Sequence, residues 1–163
     1  MSRVRPDQPL IPSVLDRLLD DDPTAKREVE KPRSQVVREL KQTVRRDLEN
    51  LLNTRWRCTS CPDDLDQLDL SLVNYGIPDV TGADLASTGQ RGRFRQIMER
   101  VIQHFEPRFK KVSIEMLDNI DPADRTLRFR IDALLYAEPA PEPVVFDSAM
   151  QPSTGNVEVK RGR

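Results

Sequence analysis

A change of hydrophobic period at a single proline limits the folds open to this chain more than any other feature. Before Pro107, the residues Phe94, Ile97, Met98, Val101, Ile102 and Phe105 recur at 0, +3, +4, +7, +8 and +11, the apolar stripe of a helix. After it, Val112, Ile114 and Met116 alternate with Lys111, Ser113 and Glu115, which is the period of a strand with one wet face. The spacing predicts a helix over 90–105. Pro107 must end it, because proline brings no amide donor and pushes Glu106 towards extended geometry.

An earlier stripe, Val37, Leu40, Val44, Leu48, Leu51 and Leu52, predicts a long amphipathic helix over 34–53. Its outer face mixes Arg38, Lys41, Arg45 and Arg46 with Glu39, Asp47 and Glu49, as a solvated surface does. Trp56 follows a polar break and is either a core anchor or an interface residue. Residues 58–92 are rich in turn formers and read as a compact connection with one short helix near 82–87.

On the strand side, Leu127, Phe129, Ile131, Ala133 and Leu135 share one face opposite Arg128, Arg130 and Asp132, after a turn over 119–124. Residues 138–143 form a proline-rich connector, 144–148 a short strand, and 156–160 an edge strand. Helices first and strands afterwards define an α+β fold, with N-terminal helices packed on one face of a small antiparallel β-sheet. The unpaired main chain of its edges is a platform for strand addition.

Two parts are expected: an N-terminal arm over 1–33 and an α+β domain over 34–163. The arm holds Pro6, Pro9 and Pro12, then Ser13 as the cap of a short helix carrying Val14, Leu15, Leu18 and Leu19. Asp20, Asp21 and Asp22 stop that helix before Pro23; they lack the glycine and distal glutamate of a calcium loop.

Composition narrows the function. Twenty-six Lys and Arg against 27 Asp and Glu give a net charge of -1, so no global field draws nucleic acid. No apolar run is long enough to insert directly in a membrane, and a cytoplasmic location is expected. Two cysteines and one histidine cannot complete a structural zinc site within one chain, so neither metal nor cofactor is expected. The Cys58-Thr-Ser-Cys61 pair follows a helix instead of opening one and precedes Pro62; it reads as two ordinary small residues. His104 sits where a cation complements a helix C-terminus. With no nucleophile elbow, no phosphate loop and no marked carboxylate pair, catalysis is unsupported.

Glu106-Pro107-Arg108 breaks a local rule, because an acid at the negative end of a helix dipole is unfavourable. Such breaks concentrate at functional sites, and a rigid proline flanked by a carboxylate and a guanidinium suits fork-like pairing with a partner. Both charged side chains are expected at the surface, where substitution leaves stability within about 1 kcal/mol.

Several motifs in order carry a resemblance: Ser13-Val-Leu-Asp-Arg-Leu-Leu-Asp-Asp-Asp-Pro23, Asp47-Leu-Glu-Asn-Leu-Leu-Asn-Thr-Arg55, Asn74-Tyr-Gly-Ile-Pro-Asp79, Phe105-Glu-Pro-Arg108, Leu127-Arg-Phe-Arg-Ile-Asp-Ala133 and Pro143-Val-Val-Phe-Asp-Ser148. The chain resembles the TssE family of type VI secretion baseplate subunits, which is similar to the sheath-proximal wedge protein of contractile-tailed phages. The resemblance implies a structural protein that links a TssF/TssG wedge, with TssK nearby, to the contractile sheath. It also implies help in starting TssB/TssC assembly, with the tube and spike hub as a further neighbour, on a membrane-anchored secretion complex. Glu106, Pro107 and Arg108 match the family's Glu-Pro-Arg motif and would dock the domain onto the wedge. Paired cysteines are a departure from that family. Two alternatives belong to other classes: a regulatory protein-binding adaptor of the same fold, and a peptidoglycan hydrolase, after a lysozyme label the family has carried.

Overall fold

The computed structural model describes residues 15, 18, 32–56, 66–68, 71–79, 87–119, 124–137 and 140–162. Helix α1, Arg33–Asn53, buries Val44, Leu48, Leu51 and Leu52 through its C-terminal half, whereas Val37 and Leu40 in the first half are only half-buried. Helix α2, Thr88–Phe105, buries Phe94, Met98, Val101 and Ile102. Both predicted apolar stripes therefore face the core, because residues three and four apart stack on one side of a helix.

Four strands follow: β1 (Phe109–Leu117), β2 (Leu127–Leu135), β3 (Glu142–Met150) and β4 (Val157–Arg161). They form an antiparallel meander in the order β1-β2-β3-β4, with β1 and β4 at the edges. Helix α2 packs on β1 and α1 on β4, so the helices cover one face of the sheet and an α+β architecture results. All five residues predicted for the inner face of β2 are buried, and Phe129, Ile131 and Leu135 exclude solvent completely. Opposite them, Val144, Phe146, Ser148 and Met150 of β3 also point inward.

Two strands start earlier than the sequence reading places them, β3 also runs on to Met150, and β4 is shifted by one residue. Strand β1 begins at Phe109, because the register slips between Phe109 and Lys111 and the bulge at Lys110 changes the parity of inward residues. Phe109 is thus buried together with Ile114, although a step of five positions would place them on opposite faces under strict alternation. Strand β3 starts at Glu142 and runs through Pro143, which was expected in a connector. The Val145 carbonyl accepts from the Gly162 amide, so Val145, and two residues earlier Pro143, turn their main chain towards β4. Strand β4 stops at Arg161, so the missing proline N–H leaves no ladder bond unmade.

Leu15 and Leu18 are helical and exposed; the rest of the expected arm helix, the Asp20-Asp21-Asp22 run, Cys58, Cys61 and the short helix near 82–87 lie outside the described residues, Ser87 apart. Among the described residues no helix is long and apolar enough to cross a membrane.

Candidate docking corner

The Glu-Pro-Arg motif is a single tight turn between α2 and β1. The Glu106 amide donates to the Ile102 carbonyl at 2.9 Å and closes the helix, and the Phe109 amide donates back to the Glu106 carbonyl at 3.2 Å. Pro107 stands at the second position of this four-residue turn, where its fixed φ is already suitable. Pro107 is exposed, whereas Glu106 is 5% exposed. The expectation that both charged side chains stand at the surface therefore fails for Glu106.

The reason lies in the pairing. Arg108 Nε donates to Glu106 Oε1 at 2.6 Å, its Nη2 donates to Glu106 Oε2, and the Arg108 amide donates to Glu106 Oε1 at 3.3 Å. The same Nη2 donates to Asp47 Oδ2 of α1 at 2.6 Å. A planar guanidinium thus forks onto one carboxylate and bridges to a second across the helix–sheet interface, which offsets the unfavourable dipole end where Glu106 lies. Burial would lower the Arg108 pKa, but the bonds and charges of Glu106 and Asp47 outweigh it and raise the value above the usual arginine range. Arg46 adds a longer pair to Asp47 Oδ1 at 3.3 Å. Arg108 Nη1 is buried and has no hydrogen-bond partner among the described residues.

A second segment frames the corner. Arg55 and Ile77 form an isolated parallel bridge, with the Trp56 amide donating to the Ile77 carbonyl at 3.0 Å and the Ile77 amide to the Thr54 carbonyl at 2.9 Å. The Trp56 indole N–H donates to the Gly76 carbonyl at 2.5 Å, and the side chain packs on the core, so Trp56 is an anchor of the fold. Gly76 has φ of 112°, and a Cβ there would collide with the Thr54 carbonyl, so only glycine allows this close approach. The pinned loop sets Tyr75 edge-on against Phe105, with ring centroids 5.2 Å apart. Burial, then the nearby charges of Asp47 and Glu106, push the Tyr75 phenol above its ordinary pKa of 10.0.

Three of the separately quoted motifs thus meet at one corner, through Asp47, Tyr75 and Glu106 to Arg108. Sequence reasoning singled out only the last of them. Asp47 read as one charge on a mixed helix face and Tyr75 as part of a turn, because nothing local links residues so far apart in the chain. The single histidine, His104, stacks edge-on against Phe105 at 4.6 Å. Among the described residues no group of three or more His, Cys, Asp or Glu could hold a metal ion.

Residues 38–140 match the family model described as baseplate wedge protein gp25, more than half of the 163 residues. The chain belongs to this family of baseplate-type structural proteins. No curated protein and no solved structure matches it.

Proposed function

We propose that the chain is the TssE-type baseplate subunit of a bacterial type VI secretion system, acting in the cytoplasm on a membrane-anchored secretion complex. In this reading it is not an enzyme and needs no cofactor. It joins a TssF/TssG wedge, near TssK, to the contractile sheath, and its sheet receives extended segments of TssB/TssC as the sheath begins. The observation that carries the reading is the family match over 38–140, supported by the motifs of the TssE resemblance at 13–23 and 143–148 that lie outside it.

The docking role falls on Pro107 and Arg108, with Glu106 as the brace that holds Arg108. Exposed Pro107 is a rigid contact, and the Arg108 guanidinium, held by Glu106 and Asp47 with its side chain 20% exposed, presents its accessible part beside it to a partner carbonyl or carboxylate.

The test is coexpression of the full chain with the TssF and TssG of the same organism, followed by affinity copurification. Wild type is expected to form a stable complex. Arg108→Lys, which keeps a charge beside Glu106 but loses the fork, is expected to fold and to lose capture. A folded wild type that never copurifies contradicts the wedge assignment; a folded Arg108→Lys that copurifies as wild type does contradicts the docking site.

A further inference from the structure

The sheet has two edges, and the chain treats them differently. On β4, Val157, Val159 and Arg161 turn their main-chain groups away from β3, and each of the four groups of Val157 and Val159 has a side-chain partner from α1. The Val157 amide donates to Asn53 Oδ1 at 2.8 Å, and Asn53 Nδ2 donates to the Val157 carbonyl at 2.8 Å. The Val159 amide donates to Glu49 Oε1 at 3.4 Å, and Arg45 Nη1 donates to the Val159 carbonyl at 3.0 Å. Arg45, Glu49 and Asn53 lie four residues apart, in one row along the helix. Asn53 reproduces with one amide both bonds that a neighbouring residue of a strand would make.

On β1, the outward main-chain groups belong to Val112, Ile114 and Met116, as shown by the Ile114 amide, which donates to Glu99 Oε1 of α2 at 2.8 Å and not to β2. Among the described residues this is the single outward bond. Glu99 also reaches Arg95 Nη1 at 3.5 Å, a partner it can keep when it leaves Ile114. The inward side chains at this edge, Val112 and Met116, pack on the core yet remain half-buried, so the apolar layer is unfinished here. Regularly spaced amides and carbonyls beside such a layer are satisfied by an extended polypeptide, apolar on the side facing α2.

We infer that the sheet accepts one incoming strand, at β1, because the Arg45-Glu49-Asn53 row of α1 seals β4 as a side-chain substitute for a fifth strand. This rests on the proposal that a strand of another subunit joins the sheet, and it fixes where and how many. A sealed β4 also prevents copies of the chain from pairing edge to edge through that strand.

Amide hydrogen exchange of the free full chain, read residue by residue, tests the seal. Val157 and Val159 are expected to exchange at least about tenfold more slowly than Val112 and Met116, since one lost hydrogen bond is worth roughly that factor. Asn53→Ala should erase the difference at Val157. Equal rates at the two edges in wild type overturn the inference. Capture of the cognate sheath pair by the full chain tests the acceptor. Val112→Pro removes an outward N–H and no ladder bond, and it is expected to abolish capture, while Asn53→Ala retains it. Met116→Pro serves the same purpose should Val112→Pro fail to fold. Capture that survives either folded proline variant and adds protection along 157–161 overturns the inference. If wild type captures no sheath while the slow exchange at Val157 and Val159 holds, the sheath reading fails and the seal stands.

Discussion

Arg108 and Arg130 each hold a carboxylate through Nε, at 2.6 Å and 3.0 Å, yet they are worth very different amounts to the fold. Arg108 lies in the corner with a side chain 20% exposed, against a Glu106 side chain at 6%. Arg130 crosses from β2 to Asp147 on the wet face of the sheet, with both side chains at about 40% exposed. Water screens the second pair and competes for its hydrogen bonds, whereas the first has been taken out of water and must be satisfied by protein. Similar chemistry is therefore a brace in one place and a surface ornament in the other; burial, and not the pair itself, decides.

The largest expected effect breaks the buried side of this comparison. Arg108→Ala leaves the Glu106 carboxylate buried without its counter-charge and should cost about 3–5 kcal/mol in denaturant unfolding. Gly76→Ala attacks the same corner from the loop that places Tyr75. It forces a Cβ onto the Thr54 carbonyl at a φ of 112° and should cost on the order of 1–3 kcal/mol, read as a fall in thermal midpoint. Arg130→Ala, the exposed counterpart, should leave the unfolding midpoint unchanged within error.

The smallest effect concerns acid. Bonds from the Thr126 side chain and amide, then Arg128, hold half-buried Asp124 at a pKa of about 2, below its usual 3.8. A depressed carboxylate contributes stability above its unfolded pKa and loses it as pH falls through the folded one. The Asp124 contribution should thus be intact above about pH 4 and fade towards pH 2, with carboxyl NMR titration of Asp124 as the check. A midpoint near 3.8 would show that the turn does not hold it.

Periodicity made the helices and β2 legible, since both apolar stripes and all five inner residues of β2 depend only on neighbours along the chain. It failed where one residue changes the count. Lys110 in the bulge hid the first residues of β1, and Pro143 looked like a stop because the end of β4, which makes a proline harmless there, is not visible locally. At the corner, the turn and its acid–proline–arginine motif were legible. The burial of Glu106 was not, because it depends on Asp47 from α1 and on the loop that carries Tyr75. An acid at a helix end reads as exposed until its counter-charge is found. The sealing of β4 was hidden for the same reason, as Arg45, Glu49 and Asn53 look like ordinary polar positions of a solvated helix face.

Glu106 and Arg108 act first as one internal unit, and the docking proposed for this corner rests on that brace. A double-mutant cycle of Glu106→Gln and Arg108→Met by denaturant unfolding tests it most directly. Strong coupling is expected, about 1.5–3 kcal/mol, with the double variant more stable than the sum of the single losses implies. Additive single effects, each within about 0.5 kcal/mol of zero as for exposed residues, would contradict the claim.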